Sequence, residues 1–316
     1  MMNLYKVCLF LALTFSACSL FAMNENAGTR GFAFMNLLYS ARAAGMANAF
    51  TGLANDGDAV FFNTAGLAQT SGSHLKTTYI NYIEGLQGGS LVYKTDLNEE
   101  WKIAPFVQFM VSDAIPRTIE VNGAFGGQVG TFGTSDIVVG IGFARNMHPA
   151  LDFGFNVKYM YEKLDTYDAS AIAVDFSVMH QTNVEELRIG LVLRNFGWQL
   201  THFTDAKHNE ELPTMIVAGA SYRFRDKGFI NFDLARPFDN DFFFRLGLEY
   251  NHNAYLTLRT GLDSRMDDYR AGQTLDFTSG LAFGIGINWN RYIVDFGVSS
   301  KGGLGFVNQI SISYKF

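Results

Sequence analysis

From about residue 74 to the end of the chain, apolar and polar side chains alternate with period two. In one segment Leu151, Phe153, Phe155, Val157, Tyr159 and Tyr161 oppose Asp152, Gly154, Asn156, Lys158, Met160 and Glu162. In another, Phe242, Phe244, Leu246, Leu248 and Tyr250 oppose Arg245, Gly247, Glu249 and Asn251. A third sets Leu187, Ile189, Leu191 and Leu193 against Arg188, Gly190 and Arg194, and two later ones place Gly284, Gly286, Asn288 and Asp295 on the polar side. Successive strand side chains point to opposite faces, so the pattern predicts strands with one apolar face each. Fourteen are expected: 74–83, 86–96, 101–122, 127–146, 149–163, 168–180, 184–197, 212–224, 227–236, 242–251, 254–263, 279–290, 292–300 and 308–316. The third and fourth are long enough to project beyond a bilayer.

The connections sort by parity. If both chain ends lie in the periplasm, the even-numbered turns are periplasmic, and all are short: "DLNEE", "NMHP", "HQTNVE", "RDKG", "NHNA" and "NWNRY". The odd-numbered connections include every long segment, at 112–127, 197–211, 264–278 and 301–307. Short turns at one rim and long loops at the other mark an outer-membrane barrel, whereas a soluble sandwich has no reason to sort them. The expected fold is therefore all-β, a transmembrane barrel of about fourteen antiparallel strands spanning 73–316. Backbone groups facing lipid must all be paired, so the sheet has to close. The last strand, "NQISISYKF", alternates to a terminal aromatic; Tyr314 and Phe316 resemble the signal that barrel-assembly machinery recognises.

Composition supports strands over helices. The chain has 30 Phe, 14 Tyr and 32 Gly against 5 Pro, with 17% charged residues. Residues 1–22 read as a secretory signal, with Lys6, the apolar stretch "VCLFLALTFSACSLF" and a cleavage site ending in Ala22. A rival cut before Cys18 would permit lipidation, although Phe15 stands where that signal wants Leu. Both cysteines, Cys8 and Cys18, fall inside the signal, so disulfides and thiolate metal ligands are not expected. Removing Lys6 leaves 23 basic and 30 acidic side chains, which argues against nucleic acid as a partner.

Residues 23–72 do not alternate. "SARAAGMANAFTGLAND", Ser40 to Asp56, predicts a helix capped by Ser40 and stopped by Asn55 to Gly57, and "DAVFFNTAGLAQ" predicts a second short unit. Small and apolar residues ahead of a barrel predict a plug in its lumen. Charged residues on the inward faces, namely Asp152, Lys158, Glu162, Arg188, Arg194, Arg245, Glu249, Arg259 and Asp295, with Asp175 and Asp233 beside them, predict a mixed-sign network that holds the plug. Arg42 is expected to meet carboxylates there, because a buried unpaired charge is costly. Mixed signs do not make the single-charge rings of an ion-selective pore.

The stretch from Ala27 to Gln69 resembles the N-terminal region of the PorV/PorQ family, relatives of the FadL-type transporters of hydrophobic compounds. The resemblance rests on Gly28, Phe32 and Phe34 at the entry, on Ala41, Arg42, Ala43, Gly45 and Met46 in the helix, and on Asn63, Ala65 and Gly66 in the following turn. Thr64 stands where the family usually has Pro, and "NDGD" replaces its paired acids. The resemblance implies a non-enzymatic outer-membrane barrel of a Gram-negative bacterium, associated with type IX translocon subunits and secreted cargo. Its wider FadL-like kinship implies the alternative, passage of hydrophobic small molecules, for which Phe32, Phe34, Phe50, Phe61 and Phe62 are the candidate pocket residues. Outer-membrane lipid and the assembly machinery are the other expected partners, and no cofactor is expected.

Chemistry for catalysis is sparse. The six His residues are scattered over strand 1 and several connections; His202 and His208, with Asp205 and Glu210, are the only local cluster and read as a solvated loop rather than a metal site. "AFGIGINWN" lies inside an alternating strand with no helix after it to cradle a phosphate. Its glycines instead predict room in the lumen.

Overall fold

The computed structural model describes residues 28–205, 208–225 and 227–316. The expected secretory signal, both cysteines and residues 23–27 of the expected plug lie outside the described residues.

Fourteen antiparallel strands close into one barrel, and two more form a separate hairpin. The barrel strands are β1 (His74–Asn81), β2 (Gln87–Asp96), β3 (Trp101–Val111), β6 (Thr134–His148), β7 (Leu151–Leu164), β8 (Tyr167–Gln181), β9 (Leu187–Thr201), β10 (Met215–Arg223), β11 (Gly228–Pro237), β12 (Phe243–Asn251), β13 (Leu256–Asp263), β14 (Leu281–Trp289), β15 (Tyr292–Ser300) and β16 (Phe306–Lys315). The hairpin is β4 (Ile115–Val121) with β5 (Ala124–Phe132). Closure joins β1 to β16, with His74 opposite Lys315 and Asn81 opposite Asn308. Beyond the ladder, the Phe316 amide donates to the Ser73 carbonyl at 3.1 Å. The terminal strand thus seals the sheet.

Each strand's apolar face points away from the lumen. Leu191, Phe283, Ile287 and Trp198 are 49%, 55%, 51% and 62% exposed. A continuous apolar belt of this kind is stable only against lipid. No helix among the described residues is long and apolar enough to cross a membrane. One rim carries the short connections, such as 149–150 and 290–291; the opposite rim carries 112–133, 202–214 and 264–280. The β7 to β8 turn at Asp165 and Thr166 is an exception, a tight turn on the long-loop rim with Asp165 at φ 59°.

Two expectations need correction. The long third and fourth strands are not continuous: the wall ends at Val111 and resumes at Thr134, and the residues between leave it as the β4–β5 hairpin. Pro116 cannot donate to a ladder, Gly127 and Gly130 take φ of 119° and 131°, and two register shifts follow in the hairpin. Ser112 and Thr134 pin its base, amide to carbonyl at 3.1 Å and amide to hydroxyl at 2.8 Å.

The long helix over 40–56 is also absent. Helix α1 spans only Ala41–Ala44, and α2 spans Ala59–Phe62. Ser40 does cap α1, accepting from the Ala43 amide at 3.2 Å. Ala47 and Asn48 then take φ of 52° and 63°, which breaks the helix. Small residues there serve close approach to the wall rather than helix propensity.

Candidate functional site

The segment from Gly28 to Ser73 fills the lumen. Its buried aromatics form the centre of the core: Phe50 meets Phe62 edge-on at 5.2 Å, and Phe61 meets Phe106 of β3 at 5.2 Å. Burying each such side chain contributes about 1.5–3 kcal/mol. Backbone and wall come together through glycine. A Cβ on Gly45 would lie 2.8 Å from the Gly284 Cα, so neither position tolerates a side chain. Gly66 is pressed in the same way against the Ala54 carbonyl.

The turn after α2 is fastened by hydrogen bonds. Asn63 accepts from the Ala65 amide at 3.2 Å, and its amide group donates to the carbonyls of Thr51 at 3.0 Å and Val178 at 3.1 Å. The Ala65 amide also reaches the Ser177 hydroxyl at 3.0 Å. Asn63, Ala65 and Gly66 therefore sit together where the plug crosses β8 and its own preceding loop.

Arg42 is the electrostatic anchor. Its guanidinium grips Glu249 of β12 through Nε at 2.8 Å and Nη2 at 2.7 Å. Nη1 donates to Asn55 at 2.9 Å and to Asp56 at 3.1 Å, and the Phe50 ring lies 5.1 Å from the guanidinium carbon. Glu249 also accepts from Arg259 at 2.7 Å, which in turn reaches Asp295 at 2.8 Å. A second knot joins Lys76 to Asp56 at 3.2 Å and to Asp58 at 2.5 Å. Of the plug carboxylates, Asp56 is held well below the usual range: burial opposes its charge, but Lys76 and Arg42 outweigh that. Burial pushes Asp58 up to about 6, with Lys76 opposing and Asp56 adding to the rise.

The remaining inward charges fall into separate groups. Lys158 binds Asp175 at 2.7 Å and the Asn195 side chain at 2.6 Å, beside a β9 bulge where Asn195 has φ 57°. Arg194 donates to the Phe62 carbonyl at 2.6 Å, and Arg245 pairs with Asp263 at 3.3 Å. Arg188 donates to Gln69, which donates to Asp152 at 3.1 Å. Asp233 accepts from the amides of Phe50 and Thr51 at 3.2 Å and 3.1 Å. Glu162 joins none of these clusters. Among the described residues, no three His, Cys, Asp or Glu side chains converge to hold a metal.

Two larger spaces flank the plug. Near the short-turn rim a polar basin of about 310 Å³ is bordered by Arg42, Lys76, Glu249, Arg259 and Asp295. Near the long-loop rim a mostly apolar groove of about 540 Å³ runs between plug residues Phe34 and Leu37 and wall residues Met110 and Leu164, with Leu86 just before β2 and Ile115 at the base of the hairpin also bordering it. Of the five candidate pocket aromatics, only Phe34 borders this groove; Phe32, Phe50, Phe61 and Phe62 are buried in packing. The sequence also gave no notice of Asp136, which enters the groove from β6 together with Glu162 from β7. Its place in the alternation of "TSDIVVG" was the available signal, obscured by reading the preceding hairpin as part of the same strand.

No family model and no curated protein matches this chain. Solved structures do. The CymD monoaromatic hydrocarbon channel aligns with a TM-score of 0.63 at 14% identity, over 89% of this chain and 98% of that one. The Pseudomonas putida toluene transporter TodX aligns at 0.61 and 12% identity, over 87% and 96%. A FadL homologue from Pseudomonas aeruginosa aligns at 0.56 and 11% identity, over 88% and 98%. These likenesses are of fold, and the fold they share with this chain is a closed antiparallel barrel, here of fourteen strands with the preceding segment in its lumen.

Proposed function

We propose that this protein is a non-enzymatic channel of the Gram-negative outer membrane that admits small hydrophobic molecules. The observation that carries the reading is the 540 Å³ apolar groove between plug and wall, set at the rim with the long loops. Such a rim faces the exterior in outer-membrane barrels. A ligand site of this size and lining suits a small apolar compound, and the similar structures named above include a hydrocarbon channel and a toluene transporter. The plug then acts as the gate, held by Arg42 and Glu249 on its other side. Uptake of a labelled aromatic hydrocarbon by cells lacking the protein, complemented with wild type or with Met110→Arg, tests this. Wild type is expected to restore uptake several-fold above the Arg variant; equal uptake by all strains overturns the reading.

A second reading, association with type IX secretion as in the PorV/PorQ family, has its own support. The β4–β5 hairpin stands clear of the wall and exposes Ile119, Val121, Phe125 and Val129, with Phe125 76% exposed. Exposed apolar residues on a projecting element suit a protein partner such as a translocon subunit or secreted cargo. The motif residues Gly28 to Gly66 are consistent with that kinship. Comparison of surface and medium proteomes with and without the protein separates the two readings: selective loss of exported cargo supports secretion, and an unchanged set removes it.

A further inference from the structure

The groove contains more than apolar surface. Asp136 of β6 and Glu162 of β7 are direct cross-strand partners, and both border it. Asp136 is 8% exposed, and its Oδ1 has no hydrogen-bond partner; the buried Oε2 of Glu162 has none either. A third carboxylate, Glu84, borders the same space, while among the described residues no Lys, Arg or His does. Elsewhere in this lumen several inward carboxylates meet a cation, Glu249 with Arg42 and Arg259, Asp175 with Lys158, Asp263 with Arg245 and Arg265, and Asp233 and Asp152 are served instead by amide donors. Glu162 accepts one backbone hydrogen bond, from Phe32 of the plug, but Asp136 Oδ1 and Glu162 Oε2 are left without a donor, where a buried carboxylate oxygen lacking a partner is costly.

We propose that the groove selects small hydrophobic amines. The primary ammonium carries three donors, enough to serve Asp136 and Glu162 together, and its charge complements theirs. The hydrocarbon part lies along Phe34, Leu37, Leu86 and Met110. Fatty carboxylates are disfavoured by the same arrangement, because their head group repels the acid pair and finds no cation. This inference rests on the proposed uptake function and adds the polarity of the head group to it. Like charges placed directly opposite on neighbouring strands destabilise a sheet, and an ammonium held between Asp136 and Glu162 offsets that repulsion.

The test uses the full chain in lipid nanodiscs, with empty discs measuring partition into lipid. Binding of labelled decylamine, decanol and decanoate is compared at pH 7. Decylamine is expected to bind at least tenfold tighter than decanoate, and D136N/E162Q to abolish that preference. Heat-modifiable migration of the double variant checks that the barrel is formed, and single variants D136N and E162Q serve if it is not. Equal binding of the three ligands leaves hydrophobic uptake standing and overturns the selection of amines. Absence of specific binding by any of them overturns both.

Discussion

Arg42 of the plug and Glu249 of β12 form a two-pronged ion pair, with Nε to Oε2 at 2.8 Å and Nη2 to Oε1 at 2.7 Å. The geometry uses both forks of the guanidinium, which lysine cannot reproduce. Glu249 is buried, so removing its plug partner leaves a charge balanced only by Arg259. Arg42→Met is expected to destabilise the folded barrel by about 3 kcal/mol, read from urea unfolding in detergent. Because Glu249 loses its cost of burial when neutralised, Arg42→Met with Glu249→Gln should cost less than the sum of the two single changes. Strict additivity in that double-mutant cycle would show that the pair does not hold the plug.

Gly45 offers a test in which two local rules oppose each other. It ends α1 with φ −63°, a helical conformation in which Ala is ordinarily better by about 1 kcal/mol. The Cβ would nevertheless come within 2.8 Å of the Gly284 Cα and 3.1 Å of its nitrogen, backbone atoms that cannot swing aside. Gly45→Ala is therefore expected to destabilise, by about 1–3 kcal/mol. Ion conductance in planar bilayers should rise if the plug is displaced as a result. A stabilised variant with unchanged conductance would mean that plug and wall are not in contact at this point.

Thr64 gives the opposite sign. It opens the short helical turn after Asn63, whose backbone is extended rather than helical, with φ −151° inside the range favoured before proline and ψ 97° a little short of it. The first position of a helical turn is where a missing N–H costs least. Thr64→Pro is expected to be tolerated and to stabilise by about 0.4–1 kcal/mol, seen as a higher midpoint of urea unfolding. A loss of more than that amount would show that the Thr64 side chain, packed near Gly142, contributes more than the ring can replace.

The barrel was legible because a strand with lipid on one side must alternate, and because loop length reports the rim. The same rule hid the hairpin: residues 115–132 keep strand character, and only Pro116 and the glycines at 127 and 130 mark where they leave the wall. In the plug the Ala-rich run looked helical, since propensity takes no account of a neighbouring surface. The Gly45 and Gly284 contact and the turn at Ala47 and Asn48 are tertiary effects. Arg42's need for a carboxylate could be anticipated from charge alone, but the choice of Glu249 among six inward acids could not. The open valences of Asp136 and Glu162 were still less visible, because they depend on which neighbours fail to arrive.

The terminal aromatic separates folding from assembly. The Phe316 ring packs edge-on against Tyr314 at 5.0 Å and against Tyr93 of β2 at 6.1 Å, so it spans the closing seam from β16 across β1. Such aromatic contacts contribute about 0.5–1.5 kcal/mol each beyond area burial. Phe316→Ala is expected to lower the stability of the refolded barrel by about 1–3 kcal/mol by this count, while Phe316→Tyr should retain nearly all of it. In cells, a loss of assembled barrel larger than the loss of stability would assign the residue a further role in recognition by the assembly machinery. Equal losses in the two settings would confine Phe316 to closing the sheet, and wild-type behaviour of Phe316→Ala in both would remove it from either role.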